Sequence, residues 1–334
     1  GVELVNQSIG EGLGRQYVTR YFPPASKARI EGLVHSIAAA YAHELDTLDW
    51  MGPETRRKAQ EKLLKLRIKV GYPERWRDYG ALVIAGDDLV GNVMRARSFD
   101  YQRRIDRLGQ PVDRDEWGNE DSPQNVDGSY YAEQNQIVLS AALLQPPYFN
   151  AQADDAANYG AIGGFIGHEI SHGFDNEGSQ FDADGNLLGQ PGWFTPEDQA
   201  RFNARTSALA QQYDAFEPMP GIHMNGELTL SENLADNAGV AIAYKAWRAS
   251  LNGRPVATMD GLDGDQRFFI AWAQMWRGKM RDDQEILFLK TEGHAPDAIR
   301  GFAPLQNMDA FYKAFGIQPG DRMYLPPERR ITVW

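Results

Sequence analysis

The segment that most limits how this chain can fold runs from Asp155 to Asp175. Within it Gly160, Gly163, Gly164 and Gly167 lead into His168-Glu169-Ile170-Ser171-His172. Each glycine costs up to about 1 kcal/mol against alanine in a helix interior. A helix here is credible only where close neighbours bury it, so the pattern predicts one running through the centre of a domain. On that helix, positions four apart stack on one face, about 6 Å apart along the axis. His168 and His172 can then both reach one Zn2+ at about 2.0–2.1 Å. Glu169 lies about 100° round the helix, where it can flank a metal without ligating it and accept a proton from water activated there. The rival reading is a helix that carries these three side chains by accident.

Two histidines leave a catalytic zinc one protein ligand short. Glu232 and Asp236, in Leu230-Ser231-Glu232-Asn233-Leu234-Ala235-Asp236, share one face of a predicted helix. One carboxylate can ligate while the other accepts the free ring N–H of a ligand histidine. The chain has no cysteine, so thiolate ligands, disulfides and a cysteine nucleophile are excluded. A formal charge of −12 argues against a nucleic-acid-binding surface, which needs a basic footprint. No apolar run approaches the roughly 20 residues of a membrane span. The first residues show neither a charged nor an apolar leader region, so any targeting information lies outside this chain.

Periodicity predicts helices over 26–50, 53–67 and 88–108, the second opened by Pro53 and carrying Glu54–Lys58 and Glu61–Lys65 pairs. The basic residues along them read as a solvated face. The polar stretch 109–128 is taken as a domain boundary. Gln136-Ile137-Val138-Leu139 reads as a short strand beside Tyr130 and Tyr131. Thr195-Pro196-Glu197 starts another helix, and more are expected at 230–251, 265–281 and 308–315. Asp182-Ala183-Asp184-Gly185 and the Asp260–Asp265 stretch read as Asp-Gly turns rather than calcium loops.

Blocks along the chain carry a further resemblance. Asn135-Gln136-Ile137-Val138, Leu144-Gln145-Pro146-Pro147-Tyr148-Phe149, Asn158-Tyr159-Gly160, Gly167 to Asp175 and Asn225-Gly226 are five of them. Glu232 to Asn237, Leu305-Gln306-Asn307 and Val333-Trp334 complete the set. Together they resemble the neprilysin-like zinc metallopeptidases, gluzincins that pair His-Glu-x-x-His with Glu-x-x-x-Asp. The likeness is to the C-terminal half of a bacterial member. It implies that His168, His172 and Glu232 ligate one Zn2+ per chain, that Glu169 is the general base and later proton donor, and that Asp236 fixes a ligand histidine. It also implies that His294 stabilises the tetrahedral oxyanion and that Arg300 binds substrate backbone. An apolar pocket for the residue after the cut would be lined by Leu143, Tyr148, Phe165, Met275 and Trp276. Gly164 stands where the family often has something larger, which suggests a deeper pocket for bulky residues.

Two departures stand out. Where the family reads Val-Asn-Ala, this chain has Val126-Asp127-Gly128. The family asparagine both donates to and accepts from bound peptide backbone, whereas an ionised Asp127 only accepts. Family members are also considerably longer, so the missing N-terminal half is expected as a partner, cleaved off or carried on a separate chain.

The expected fold is α+β and predominantly α-helical. A gluzincin-like catalytic domain with a small sheet would cover 109–334, and 1–108 would form part of a helical cap. The expected function is endopeptidase cleavage of oligopeptides on the amino side of bulky hydrophobic residues. Such an enzyme would be secreted, periplasmic or anchored through a segment not in this chain. The rivals are a non-enzymatic peptide-binding protein with a relic metal site and a thermolysin-like protease acting on whole proteins.

Overall fold

Short polar residues start the helices where the sequence places them. Asp88, Asp154, Thr195 and Asp263 each accept a hydrogen bond from the backbone N–H three residues on, a cap worth about 1 kcal/mol apiece. The computed structural model describes residues 1–334. In chain order the helices are α1 (Val2–Tyr21), α2 (Pro24–Thr47), α3 (Pro53–Leu64), α4 (Leu89–Asp106), α5 (Asp155–Asn158), α6 (Gly164–Ser171), α7 (Pro196–Asp214), α8 (Leu230–Ser250), α9 (Gly264–Met275), α10 (Asp282–Thr291), α11 (Asp297–Phe302) and α12 (Asp309–Phe315). Three short strands, β1 (Arg67–Gly71), β2 (Gly128–Tyr131) and β3 (Gln136–Ser140), make one sheet in the order β1-β3-β2. The central strand is buried throughout. The fold is thus predominantly helical with a small sheet, as expected.

Several boundaries differ from the periodicity. The helix expected over 53–67 stops at Leu64, and Arg67-Ile68-Lys69-Val70 becomes β1. Its strict charged–apolar alternation is a strand pattern that the preceding helix had absorbed. The helix expected over 265–281 ends at Met275. Helices α1, α10 and α11 were not expected at all.

The chain divides into two units. One comprises Gly1–Ile30, Ile68–Ser129 and Val138–Gln145; the other comprises Glu31–Arg67, Tyr130–Ile137 and Pro146–Trp334. Within the first, α1 packs on α4, and the buried Glu11 carboxylate receives Arg77 through its backbone N–H and its guanidinium. Within the second, Tyr41, Trp50, Phe174, Trp193, Phe194, Phe202 and Trp334 form one aromatic cluster. Trp50 also donates its indole N–H to the carbonyl of Val333.

The motif segment is not one uninterrupted helix. After α5 a π-helical turn occupies Tyr159–Gly163, and regular α geometry ends at Ser171, leaving His172 as the capping residue. The glycines explain how it is buried. A Cβ on Gly167 would lie 2.7 Å from the carbonyl oxygen of Gly239, and one on Gly239 would lie 2.5 Å from the backbone nitrogen of His168. Helices α6 and α8 therefore cross backbone to backbone. That crossing sets the motif histidines against the acids of α8.

Candidate metal centre

His168 and Glu169 sit in the last turn of α6 and His172 just beyond it, while Glu232 and Asp236 lie one turn apart on α8. One ligand atom from each of His168, His172 and Glu232 falls within a 4.8 Å cluster. His168 Nδ1 hydrogen-bonds Asp236 Oδ1 at 2.9 Å, and His172 Nδ1 hydrogen-bonds Asp175 Oδ2 at 2.8 Å. An ionised carboxylate can only accept, so each ring carries its proton on Nδ1 and turns the Nε2 lone pair inward. Those two Nε2 atoms are 3.1 Å apart. Glu232 Oε2 lies 3.3 Å from His168 Nε2, and it is buried with no hydrogen-bond partner.

Three electron-rich atoms facing one another call for a cation between them, a proton or a metal ion. The electrostatics agree. Burial pulls His168 down, but Asp236 and Glu232 outweigh it and push the imidazole up to about 9. Burial opposes ionisation of Glu232, yet His168 and His294 hold the carboxyl far below the usual range. Two neutral imidazoles and a carboxylate, each ring braced by a second carboxylate, fit Zn2+.

Glu169 is buried beside this cluster, and no protein group donates to its carboxylate. Burial raises it to about 7, with His168 and His172 pulling the other way. A carboxylate poised there suits proton transfer near neutral pH. His294, in the loop between α10 and α11, has Nε2 3.0 Å from Glu232 Oε2, though not aligned as a hydrogen bond, and Nδ1 2.9 Å from Glu292 Oε1.

Asp236 does more than hold one ring. Arg300 clamps it bidentately, Nε to Oδ2 and Nη2 to Oδ1, both at 2.8 Å. Burial would raise the Asp236 carboxyl, but Arg300 and His168 hold it down. The guanidinium also lies 3.9 Å above the Trp276 ring, leaving Nη1 without a protein partner. Asp175 is the residue that spacing did not single out for a role. It stood at the expected end of the helix; what marks it is an acid three residues past a motif histidine, the reach of one turn.

Tyr148 and Phe165 pack edge to face at 6.2 Å, and Phe165 stacks on His168 at 5.9 Å. Met275 and Trp276 end α9, with Trp276 beneath Arg300. Gly164 adds no depth to a pocket, because a Cβ there would meet the Trp272 ring at 2.6 Å. The space that a larger residue would take is filled by tryptophan. Leu143, Asp127 and Gly128 belong to the other unit. Leu143 is buried. Burial and the neighbouring Asp121 and Glu120 push the Asp127 carboxyl up, against the Gly128 N–H that it accepts.

Comparison with known proteins bears on the whole of this arrangement. Two models of "Peptidase family M13" match the chain, over residues 1–73 and 128–331. The chain belongs to peptidase family M13. It is 36% identical to mouse neprilysin over 99% of its own length and 45% of that protein's, and 34% identical to the neutral endopeptidase of Lactobacillus helveticus, of which it covers 49%. Among solved structures it superposes on the Mycobacterium tuberculosis zinc metalloprotease Zmp1 with TM-score 0.91 and 46% identity, covering 99% of this chain and 50% of that one. The M13 chain thus spans about half the length of these relatives. His168, His172 and Glu232 thus form a possible metal site in an M13 chain that superposes on a zinc metalloprotease.

Proposed function

We propose that this chain carries the catalytic centre of a zinc-dependent endopeptidase that cleaves internal bonds of oligopeptides, on the amino side of bulky hydrophobic residues. The observation that carries it is the inward-facing trio of His168 Nε2, His172 Nε2 and Glu232 Oε2, with the unpartnered carboxylate of Glu169 beside it. Bound zinc supplies Lewis-acid polarisation of a carbonyl and acidifies water. Glu169 takes the proton of the attacking water and returns it to the leaving amine. His294, with Nδ1–H on Glu292 and its imidazole held up against burial by Glu232, donates from Nε2 as the imidazolium to the carbonyl oxygen as negative charge develops. Arg300, braced by Asp236, offers its remaining N–H groups to substrate backbone, and Asp236 and Asp175 keep the two ligand rings in one tautomer. Tyr148, Phe165, Met275 and Trp276 supply apolar and aromatic surface near His168 and Arg300, which supports a bulky hydrophobic residue after the cut. Asp127 and Gly128 would meet the peptide backbone.

The reading includes a partition into a partial helical cap over 1–108 and a catalytic domain over 109–334, with the remaining half of the family's length as partner. It also includes action outside the cytoplasm. No helix here is long and apolar enough to cross a membrane, but some relatives are named membrane metallo-endopeptidase-like.

Glu169→Gln should keep its zinc and lose turnover of a short quenched peptide by at least about 100-fold. Normal turnover would remove Glu169 from the mechanism. Faster digestion of an unfolded protein than of the peptide would point instead to a broad protease.

A further inference from the structure

Lys62 is a buried lysine that the proposed reaction does not use. It is 1% exposed on α3, with Nζ 2.6 Å from the carbonyl oxygen of Gly178 and 2.7 Å from that of Phe181. Lysine is almost never so buried unless paired, yet no carboxylate lies within ion-pair distance of it. The ring of Tyr130 is 5.9 Å away. Burial pulls the amino group down to about 7, with Asp175 and Asp182 acting against that through space.

The two carbonyls belong to the turn that follows the motif helix, and that turn is tied to a ligand. Asp175 Oδ1 accepts the N–H groups of Gly178 at 2.7 Å and Glu177 at 2.8 Å. Its Oδ2 accepts from Ser231 Oγ at 2.5 Å and from His172 Nδ1 at 2.8 Å. The turn has no slack, for a Cβ on Gly178 would lie 1.7 Å from the carbonyl oxygen of His172. Asn135 Nδ2 adds a second tie by donating to the carbonyls of Lys62 and Ala183.

We infer that Lys62 is a positioning residue for the metal centre: by clamping the carbonyls of Gly178 and Phe181 it fixes the 175–181 turn, and through Asp175 it holds the His172 ring in its ligating orientation. The inference rests on the reading of His172 as a zinc ligand.

Zinc affinity of the full chain, measured by chelator competition, is the readout. Lys62→Met keeps the length of the stem and removes the donors; it should weaken zinc binding about 10-fold, the lower end of what loss of a residue bonded to a ligand histidine costs. On an Asp175→Asn background the same change should have no further effect, because the link is already cut. Unchanged affinity in a folded Lys62→Met chain overturns the inference. So does a full additional loss on the Asp175→Asn background. Should Lys62→Met fail to fold, the 15N resonance of Lys62 Nζ in the unaltered chain decides: it should move when a chelator strips the zinc, and indifference to zinc overturns the inference. Normal zinc binding in the unaltered chain combined with any of these three overturning results leaves the proposed function standing, whereas no zinc binding at all overturns both.

Discussion

Single residues carry the chemistry here through what braces them. Asp236 is buried and satisfies Arg300 and His168 together. Asp236→Asn keeps the shape but leaves the buried guanidinium without its counter-charge, which should cost about 3–5 kcal/mol and weaken zinc about 10–100-fold. Denaturant titration and metal analysis of the same sample check both. A second prediction concerns pH. Lys62 is held at about 7 in the folded chain against its usual 10.5, so between those values the unfolded chain binds the extra proton and stability rises with pH. The denaturation midpoint of the unaltered chain relative to Lys62→Met should therefore climb from about pH 7 to pH 10, since a methionine side chain does not titrate; a constant difference would contradict the burial. Little of this bracing was legible beforehand. Spacing shows which side chains share a helix face, so His168, His172, Glu232 and Asp236 could be grouped in pairs. It cannot show that Lys62 meets carbonyls 116 and 119 positions away, and a basic residue on an amphipathic helix reads as solvated.

At the scale of elements, the α6–α8 crossing governs the site. The glycine content of the motif segment correctly signalled close burial, but not which helix would supply the neighbour. Gly167 and Gly239 answer that, each facing the backbone of the opposite helix. Adding a methyl to either must drive the helices apart. Gly239→Ala should destabilise the chain by about 1–3 kcal/mol and weaken zinc binding, because Glu232 and the histidines ride on opposite sides of the crossing. Calorimetry and chelator competition test the pair, and a variant with unaltered affinity would show that the spacing of these helices does not set the centre. Strand β3 was legible from its apolar run, while β1 was lost to the helical pattern before it. Helices α10 and α11 were missed although the loop between them delivers His294. Neither is long enough for periodicity to separate from its flanks.

For the whole molecule, the chain matches relatives of about twice its span, and one of its surfaces carries an exposed apolar stripe. Val90, Met94, Tyr101 and Leu108, on or just past α4, are 64–74% exposed and recur at helical spacing. Apolar stripes of that kind mark interaction surfaces or aggregation liabilities. The chain produced alone should self-associate with rising concentration, and Met94→Asp should reduce this in sedimentation; a monomer at all concentrations would argue that the stripe needs no cover. Family membership and the grouping of His168, His172 and Glu232 were legible because both are written in short local blocks. The central claim is that two imidazoles at the end of one helix and one carboxylate from another close round a single zinc ion. Metal analysis of the purified chain beside Glu232→Ala tests it most directly. One zinc per chain, lost in the variant while the fold persists, is the predicted result; full zinc occupancy without the Glu232 carboxylate would contradict it.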